Sequence, residues 1–323
     1  PNYKVPLGPN QGRGVASGFW FNGGGESSAT MHINDDGTAV VGTGSPDVAG
    51  SRASMALMAA ETLGIDYDQV RATVADTANV GYTHVSGGSR VTLSTGLAVV
   101  NSANKVIDEL CLRAAKIWGV EPEGITWEDG HAKPASSNVG EFEPLSLAQI
   151  AAQKAATGGP IVGSAGVNAT GVGPGVATQI CDVEVDPETG KLTILRFTTA
   201  QDVGRAIQPD SVVGQIQGGS VQGIGWALNE EYVYGEDGLL QNPGFLDYRM
   251  PLASDLPMID AVMVEVTNPE HPYGVKGVGE ANIVPPMAAV ANAVRDATGV
   301  RVTSLPISPP RLLAALGAGV MEE

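Results

Sequence analysis

The residue whose type and setting could most clearly do chemistry is Glu280. It closes the run Gly277-Val278-Gly279-Glu280 within HPYGVKGVGEANIVPP and stands just before an apolar stretch of helical character. A carboxylate at a helix entrance ordinarily caps the helix or interacts with its dipole. Beside an enclosed cofactor the same group can act as a general base. Three further segments, SPDVAGSR (45–52), VSGGSR (85–90) and DVGRAIQPDSVVGQ (202–215), are loops with few bulky side chains ahead of predicted helices. Such loops offer unshielded backbone N–H groups next to helix N-termini, a combination suited to phosphate or polar heterocycles. Any one of them alone is a tight turn, but four at corresponding places point to a shared ligand. None has the GxxxxGK[ST] spacing of a nucleoside triphosphate loop. The two cysteines cannot hold an iron–sulfur cluster, which takes four thiolates. His32, His84, His131 and His271 show no paired ligand spacing, so no metal is expected to be held directly by side chains.

Positioning these loops requires a particular order of elements. TMHINDDGTAVVGTG predicts a hairpin turning at Asp36-Gly37. A helix follows over 51–63, with Ser51 as N-cap and Gly64 as its stop, then the strand QVRATVAD. A long helix from near Ser94 carries Val100, Ala103, Ile107, Leu110, Ala114 and Ile117 on one apolar face. ITWEDGHAK reads as a strand pair. LSLAQIAAQKAATGG opens with a capping-box pair, Ser146 and Gln149, and makes a connecting helix. The order then repeats: a hairpin in QICDVEVDPETGKLTILRFTTAQD, a helix near 212–229, a strand in AVMVEVTN, a helix near 286–297 and a closing strand in RVTSLPIS. The expected fold is α+β, built of duplicated two-layer β-β-α-β-α-β units with the ligand loops gathered at one end. Residues 1–165 form the first repeat with its connecting helix, and residues 166–323 form the second, carrying the Glu280 loop. In that arrangement the loop ending at Glu280 and VSGGSR are counterparts that face one ligand.

Bulk properties narrow the classes. A net charge of −17 argues against nucleic acid, whose phosphates it would repel. Charged residues make up 16% of the chain, against about 25% in typical soluble domains. Glycine supplies 43 of 323 residues, nearly double the usual share of roughly 7%. Few charges and many glycines imply a surface covered by partners and backbone that approaches something closely. No apolar run reaches the roughly 18 residues of a membrane span, and the start has no secretory pattern. Cys111 and Cys181 lie in apolar stretches, as buried thiols of a reducing, cytoplasmic compartment would.

Several of these segments resemble the molybdenum-binding portion of the xanthine oxidase family of molybdenum hydroxylases. DVGRAIQPDSVVGQIQGGSVQGIGWALNEE is similar to that family's D-V-G, G-Q-x-x-G and Q-G-x-G run, and VKGVGEANIVPPMAAVANAVRDA to its K-x-x-G-E loop and following helix. THVSGGSRVTLSTGLAV resembles its loop around the pterin, and GVATQICDVEVDPETGKL its preceding strand pair. The resemblance runs from about Gly12 to Ala315 and implies a molybdopterin cofactor, in bacteria usually the cytosine dinucleotide form. It implies that Gln215 hydrogen-bonds the cofactor and that Gly87, Gly88, Ser89 and Arg90 contact its pterin and phosphates. Lys276, Gly277 and Gly279 belong to the loop of Glu280, the implied catalytic base. That base would deprotonate a molybdenum-bound hydroxyl as its oxygen attacks an electron-poor carbon. Hydride then passes to the sulfido or selenido ligand, and electrons leave through 2Fe-2S clusters and FAD on partner subunits.

The resemblance has two departures. The family often has Gly-Gln-Gly where this chain reads Val48-Ala49-Gly50, which shifts the expected contact to Gly50, Ser51 or Arg52. The chain also lacks a preceding domain, which implies a molybdenum subunit divided between two polypeptides, as in the nicotinate dehydrogenases. The expected partners are therefore a second molybdopterin-binding subunit, an iron–sulfur subunit and an FAD subunit, acting together on an aromatic N-heterocycle. An aldehyde or carbon monoxide dehydrogenase on the same scaffold is the alternative, and a non-catalytic assembly subunit is a third reading that Glu280 and Gln215 oppose.

Overall fold

The structure, a computed structural model, describes residues 7–74, 76–170 and 173–320, without the side chains of 318–320. It is α+β and divides into two compact units. One unit comprises Asn22–Gly173 with Thr267–Gly277, and the other Pro1–Phe21, Pro174–Val266 and Val278–Glu323. The division thus falls at 173/174 rather than 165/166, and each unit takes in a segment from outside its own repeat.

In the 22–173 unit, β2 (Gly25–Ile33) and β3 (Ala39–Thr43) form the expected hairpin. Gly37 turns it at φ 84°, and the Asp36 carboxylate accepts from the Thr38 N–H at 2.9 Å. Helix α1 (Ser51–Leu63) then crosses over to β4 (Val70–Val74), which runs parallel to β3. A parallel neighbour demands such a crossover, because a tight turn can only reverse the chain. Gly50, not Ser51, is the N-cap of α1, in the left-handed conformation. A π-helical turn, Val91–Thr95, leads into α2 (Gly96–Trp118). Val100, Ala103, Leu110 and Ala114 of its expected apolar face are buried, while Ile107 and Ile117 pack at the margin. Strands β5 (Ile125–Glu128), β6 (His131–Pro134) and β7 (Leu145–Ser146) make a small separate sheet. The Ser146–Gln149 capping box is present, but the connecting helix is broken into α3 (Leu147–Ala151) and α4 (Lys154–Thr157). Finally β8 (Ile161–Ala169) pairs antiparallel with β2, giving the order β4-β3-β2-β8.

The second unit repeats this plan. β9 (Gly175–Val185) and β10 (Leu192–Asp202) form the hairpin, and α5 (Pro209–Leu228) crosses to β11 (Ile259–Val264), parallel to β10. Helix α6 (Pro286–Thr298) follows, and a further helix, α7 (Pro309–Val320), ends the described chain. RVTSLPIS is not a strand. The fourth place in this sheet belongs to β1 (Gln11–Trp20), which pairs with β9 from Gln11 opposite Glu184 to Trp20 opposite Gly175. A Cβ on Gly12 or Gly14 would overlap backbone carbonyls of α6, and one on Gly163 of β8 would overlap the Ser102 carbonyl of α2. In both units, then, a glycine-bearing edge strand lets the second helix approach to backbone contact. Each unit buries its own core, around Met31, Leu63, Val106 and Leu110 in one and Val183, Phe197, Ile224 and Val290 in the other. Full burial of such a side chain contributes about 1.5–3 kcal/mol.

Candidate functional site

In the unit containing β1 and β9–β11, the site centres on residues 278–283. Ala281–Ile283 form a single 3-10 turn whose N-cap is Glu280. The Glu280 carbonyl accepts from the Ile283 N–H at 3.3 Å, while the side chain makes no capping hydrogen bond and is half-buried. Helix α6 starts only at Pro286, so Glu280 lies a turn ahead of the helix entrance anticipated from the pattern.

The segment is held by amides reaching up from the sheet. Thr199 and Gln201 alternate on one face of β10, and Gln179 lies opposite Thr199 on β9. The Gln201 Nε2 donates to the Val278 carbonyl at 3.0 Å. Asn282 Nδ2 donates to Gln201 Oε1 and, at 3.2 Å, to the same Val278 carbonyl. Gln179 Nε2 donates to the Asn282 carbonyl at 2.9 Å and to Ser220 Oγ of α5 at 3.2 Å. Gln179, Thr199, Gln201, Ser220 and Asn282 are all 0% exposed.

Helix α5 approaches this segment through glycines. A Cβ on Gly219 would lie 2.9 Å from Asn282 Cβ and 3.0 Å from the Gly279 carbonyl oxygen, and one on Gly223 2.5 Å from Pro286 Cγ. Spacing of four residues puts Gln215 on the same stripe, one turn before Gly219. Its half-buried amide has no hydrogen-bond partner among the described residues. Gly279 therefore lies against the middle of α5, with Gln215 one turn earlier on the same stripe.

The 22–173 unit gathers a second set. Gly23 N–H donates to the Gly88 carbonyl at 2.5 Å, Gly88 has φ 88° and Ser89 φ 57°. Nothing lies within 4 Å of the place a Cβ on Gly87 would occupy. Gly277 sits so close that a Cβ there would overlap the Ser89 carbonyl and Asn22 Oδ1, and the Lys276 Cε lies 3.7 Å from the place a Cβ on Gly173 would occupy. Asn22 Nδ2 donates to the Gly173 carbonyl at 2.8 Å, while its Oδ1 is buried without a hydrogen bond.

Arg90 is 1% exposed. Its Nε donates to the Gly24 carbonyl at 2.5 Å, Nη1 to those of His84 and Val85 at 3.0 and 3.4 Å, and Nη2 to Glu26 O and Ser27 Oγ at 2.6 and 2.8 Å. With its donors so engaged, Arg90 shapes the loop. Burial pulls its pKa below the ordinary arginine value. A chain of buried hydroxyls runs on from Ser27 to Thr95 (3.2 Å) and Ser45 (2.7 Å). Near Ser45, Ser51 Oγ donates to the Pro46 carbonyl at 3.2 Å and Arg52 pairs with Asp47 at 3.2 Å, so both side chains close the turn at Gly50. His271 is buried with Nδ1 accepting from the Tyr273 N–H at 3.1 Å, and burial pushes its pKa down to about 4. Both cysteines are free, and burial pushes each thiol up from its ordinary value.

Among the described residues no group of three or more His, Cys, Asp or Glu could hold a metal ion, and no helix is long and apolar enough to cross a membrane. Sequence reasoning passed over Gln179, Gln201, Asn282 and Asn22. A signal exists for one of them: Gln201, together with Thr199, puts polar residues at alternate, inward places of a strand that otherwise buries Ile194 and Phe197.

Residues 8–257 match the model of the molybdopterin cofactor-binding domain. The chain is 32% identical over 314 residues to the xanthine dehydrogenase molybdenum-binding subunit of Escherichia coli O157:H7, covering 94% of this chain and 41% of that protein. It is 32% identical over 297 residues to the 6-hydroxypseudooxynicotine dehydrogenase complex subunit gamma of Paenarthrobacter nicotinovorans, covering 88% and 37%. Among solved structures, quinoline 2-oxidoreductase from Pseudomonas putida 86 superposes with a TM-score of 0.85 at 26% identity, covering 95% of this chain and 42% of that one. The chain thus spans about two fifths of the length of these relatives.

Proposed function

Because the chain belongs to the molybdopterin cofactor-binding domain family, we propose that it is the cofactor-binding part of a molybdenum hydroxylase in which Glu280 is the general base. One observation carries this reading: fully buried amides of Gln179, Gln201 and Asn282 fix the backbone on either side of Glu280.

The residues present fit a molybdopterin. A pterin edge alternates hydrogen-bond donors and acceptors, and the Gln215 amide supplies both. Gly87 and Gly88 leave backbone open to close approach, and Asn22 Oδ1 is a buried acceptor without a hydrogen bond. Gln215, Gly87, Gly88, Ser89, Lys276, Gly277 and Gly279 are the residues assigned to holding the cofactor. Arg90 acts behind them as a brace, and Gly50, Ser51 and Arg52 shape the first turn of α1. The bound molybdenum centre would supply the oxidising capacity and the oxygen that is transferred. Glu280 takes the proton released in that transfer onto its carboxylate, and its pinned backbone sets where that carboxylate stands.

The cytosine dinucleotide form, an aromatic N-heterocycle as substrate, and a cytoplasmic complex with a second molybdopterin-binding chain, an iron–sulfur subunit and an FAD subunit complete the proposal. The names of the relatives, which include a quinoline 2-oxidoreductase and a subunit of a 6-hydroxypseudooxynicotine dehydrogenase complex, support the substrate class. In the purified complex, Glu280→Gln is expected to lower turnover of an N-heterocycle by about 10²–10⁴-fold while molybdenum per complex is unchanged. Loss of molybdenum together with turnover would make Glu280 a structural residue instead.

A further inference from the structure

We infer that Gln201 and Asn282 are positioning residues for Glu280; the inference rests on the base reading above. The clamp is symmetric about the carboxylate. Two residues before Glu280, the Val278 carbonyl accepts from both Gln201 Nε2 and Asn282 Nδ2. Two residues after it, the Asn282 carbonyl accepts from Gln179 Nε2. Gln201 and Asn282 also bind one another, so neither amide can turn without releasing the other.

Packing alone does not ask for such a cluster. Three primary amides with no exposure cost more to bury than apolar side chains of the same size unless every end is bonded. Here Gln179 Oε1 and Asn282 Oδ1 are left without hydrogen bonds, which a purely structural core would avoid. The amides are spent on one five-residue stretch, and that stretch carries the carboxylate. Gly219 completes the clamp from the other side, since α5 lies against Gly279 and Asn282 with no side chain between. Thr199 marks the edge of the positioning set: among the described residues its hydroxyl pairs with Ser220 alone, at 2.9 Å, and reaches no residue of 278–282.

The test uses the complete complex with its partner subunits. Gln201→Met keeps side-chain length and removes both hydrogen-bonding ends, and Asn282→Asp keeps size and removes the two N–H donors. In each, kcat should fall about tenfold or more, as a misplacement of about 1 Å can cost 10²-fold, with KM within about threefold. Molybdenum content should not change. Amide hydrogen exchange across 278–283, read by mass spectrometry, should speed up about tenfold, because local opening is no longer opposed by the clamp. Thr199→Val should lower stability yet leave kcat and that exchange as they are. If Gln201→Met fails to assemble, Asn282→Asp carries the test. Unchanged exchange, or kcat within about twofold of wild type in these variants while Glu280→Gln is inactive, would overturn this inference alone. Activity surviving in Glu280→Gln would instead bring down the base reading, and this inference with it.

Discussion

Residues 84–90 and 278–282 occupy the same station in the two repeats, after the parallel edge strand and before the second helix, yet opposite chemistry holds them. In the first, a single buried guanidinium gathers the carbonyls of Gly24, Glu26, His84 and Val85. In the second, three neutral amides share the work between the carbonyls of Val278 and Asn282. A guanidinium has only donors, so it can draw carbonyls inward and organise a wide loop from one point. Amides both donate and accept, so they can interlock and fix a short segment without adding a charge. The first loop is given a shape, and the second a position. That division suits a loop offering backbone to a ligand and another carrying one reacting group.

The largest effect is expected from Arg90→Met, which strands several buried carbonyls and should cost about 3 kcal/mol or more in denaturant unfolding. A loss below about 1 kcal/mol would mean that water replaces the guanidinium freely. Next comes pH. His271, in the segment Thr267–Gly277 of the Arg90 unit, is held neutral, with its pKa lowered from 6.5 to about 4. The unfolded chain therefore binds a proton that the folded unit refuses. Stability is full above the unfolded value and falls as pH drops from there towards about 4. The loss should reach about 2 kcal/mol between about pH 7 and pH 5, and His271→Gln should flatten that slope in calorimetry. The smallest stability effect is expected at Gly219. There alanine gains about 1 kcal/mol of helix propensity and loses about as much or slightly more to crowding. Turnover should nonetheless fall several-fold, since the added methyl displaces Gly279 and Asn282. Equal wild-type activity in Gly219→Ala would show that the Glu280 segment tolerates movement.

The hairpins, the crossover helices and the second helix of each repeat are legible in the sequence because turns at Asp36-Gly37 and Gly190 and the apolar faces of α2 and α6 announce them. The loops were legible as well, since glycine and small residues cluster where helices begin. β1 and β8 were not. Their inward places hold Gly12, Gly14 and Gly163, whose missing side chains admit a helix backbone, so the apolar alternation that marks a strand is erased at the place where packing is tightest. The closing strand expected in RVTSLPIS failed for the complementary reason: β1 already fills that sheet position. At the site, Glu280 stood out through its glycines, but the residues that hold it are spread over β9, β10 and α5. Nothing in the linear order joins Gln179, Gln201 and Ser220 to Asn282.

The borrowing of β1 has a consequence for how the protein is made. A ribosome releases the chain from its N-terminus, and domains tend to fold as they emerge. All four strands of the β4-β3-β2-β8 sheet are out once Ala169 has been made. β1 emerges before any of them, yet its partner β9 does not exist until that whole sheet has been synthesised. During that interval β1 is an unpaired strand bearing Val15 and Phe19, and a nascent chain in that state invites either a wrong edge-to-edge pairing or a chaperone's grip. Of the strands in the two sheets, β1 is thus the one that waits longest for its mate.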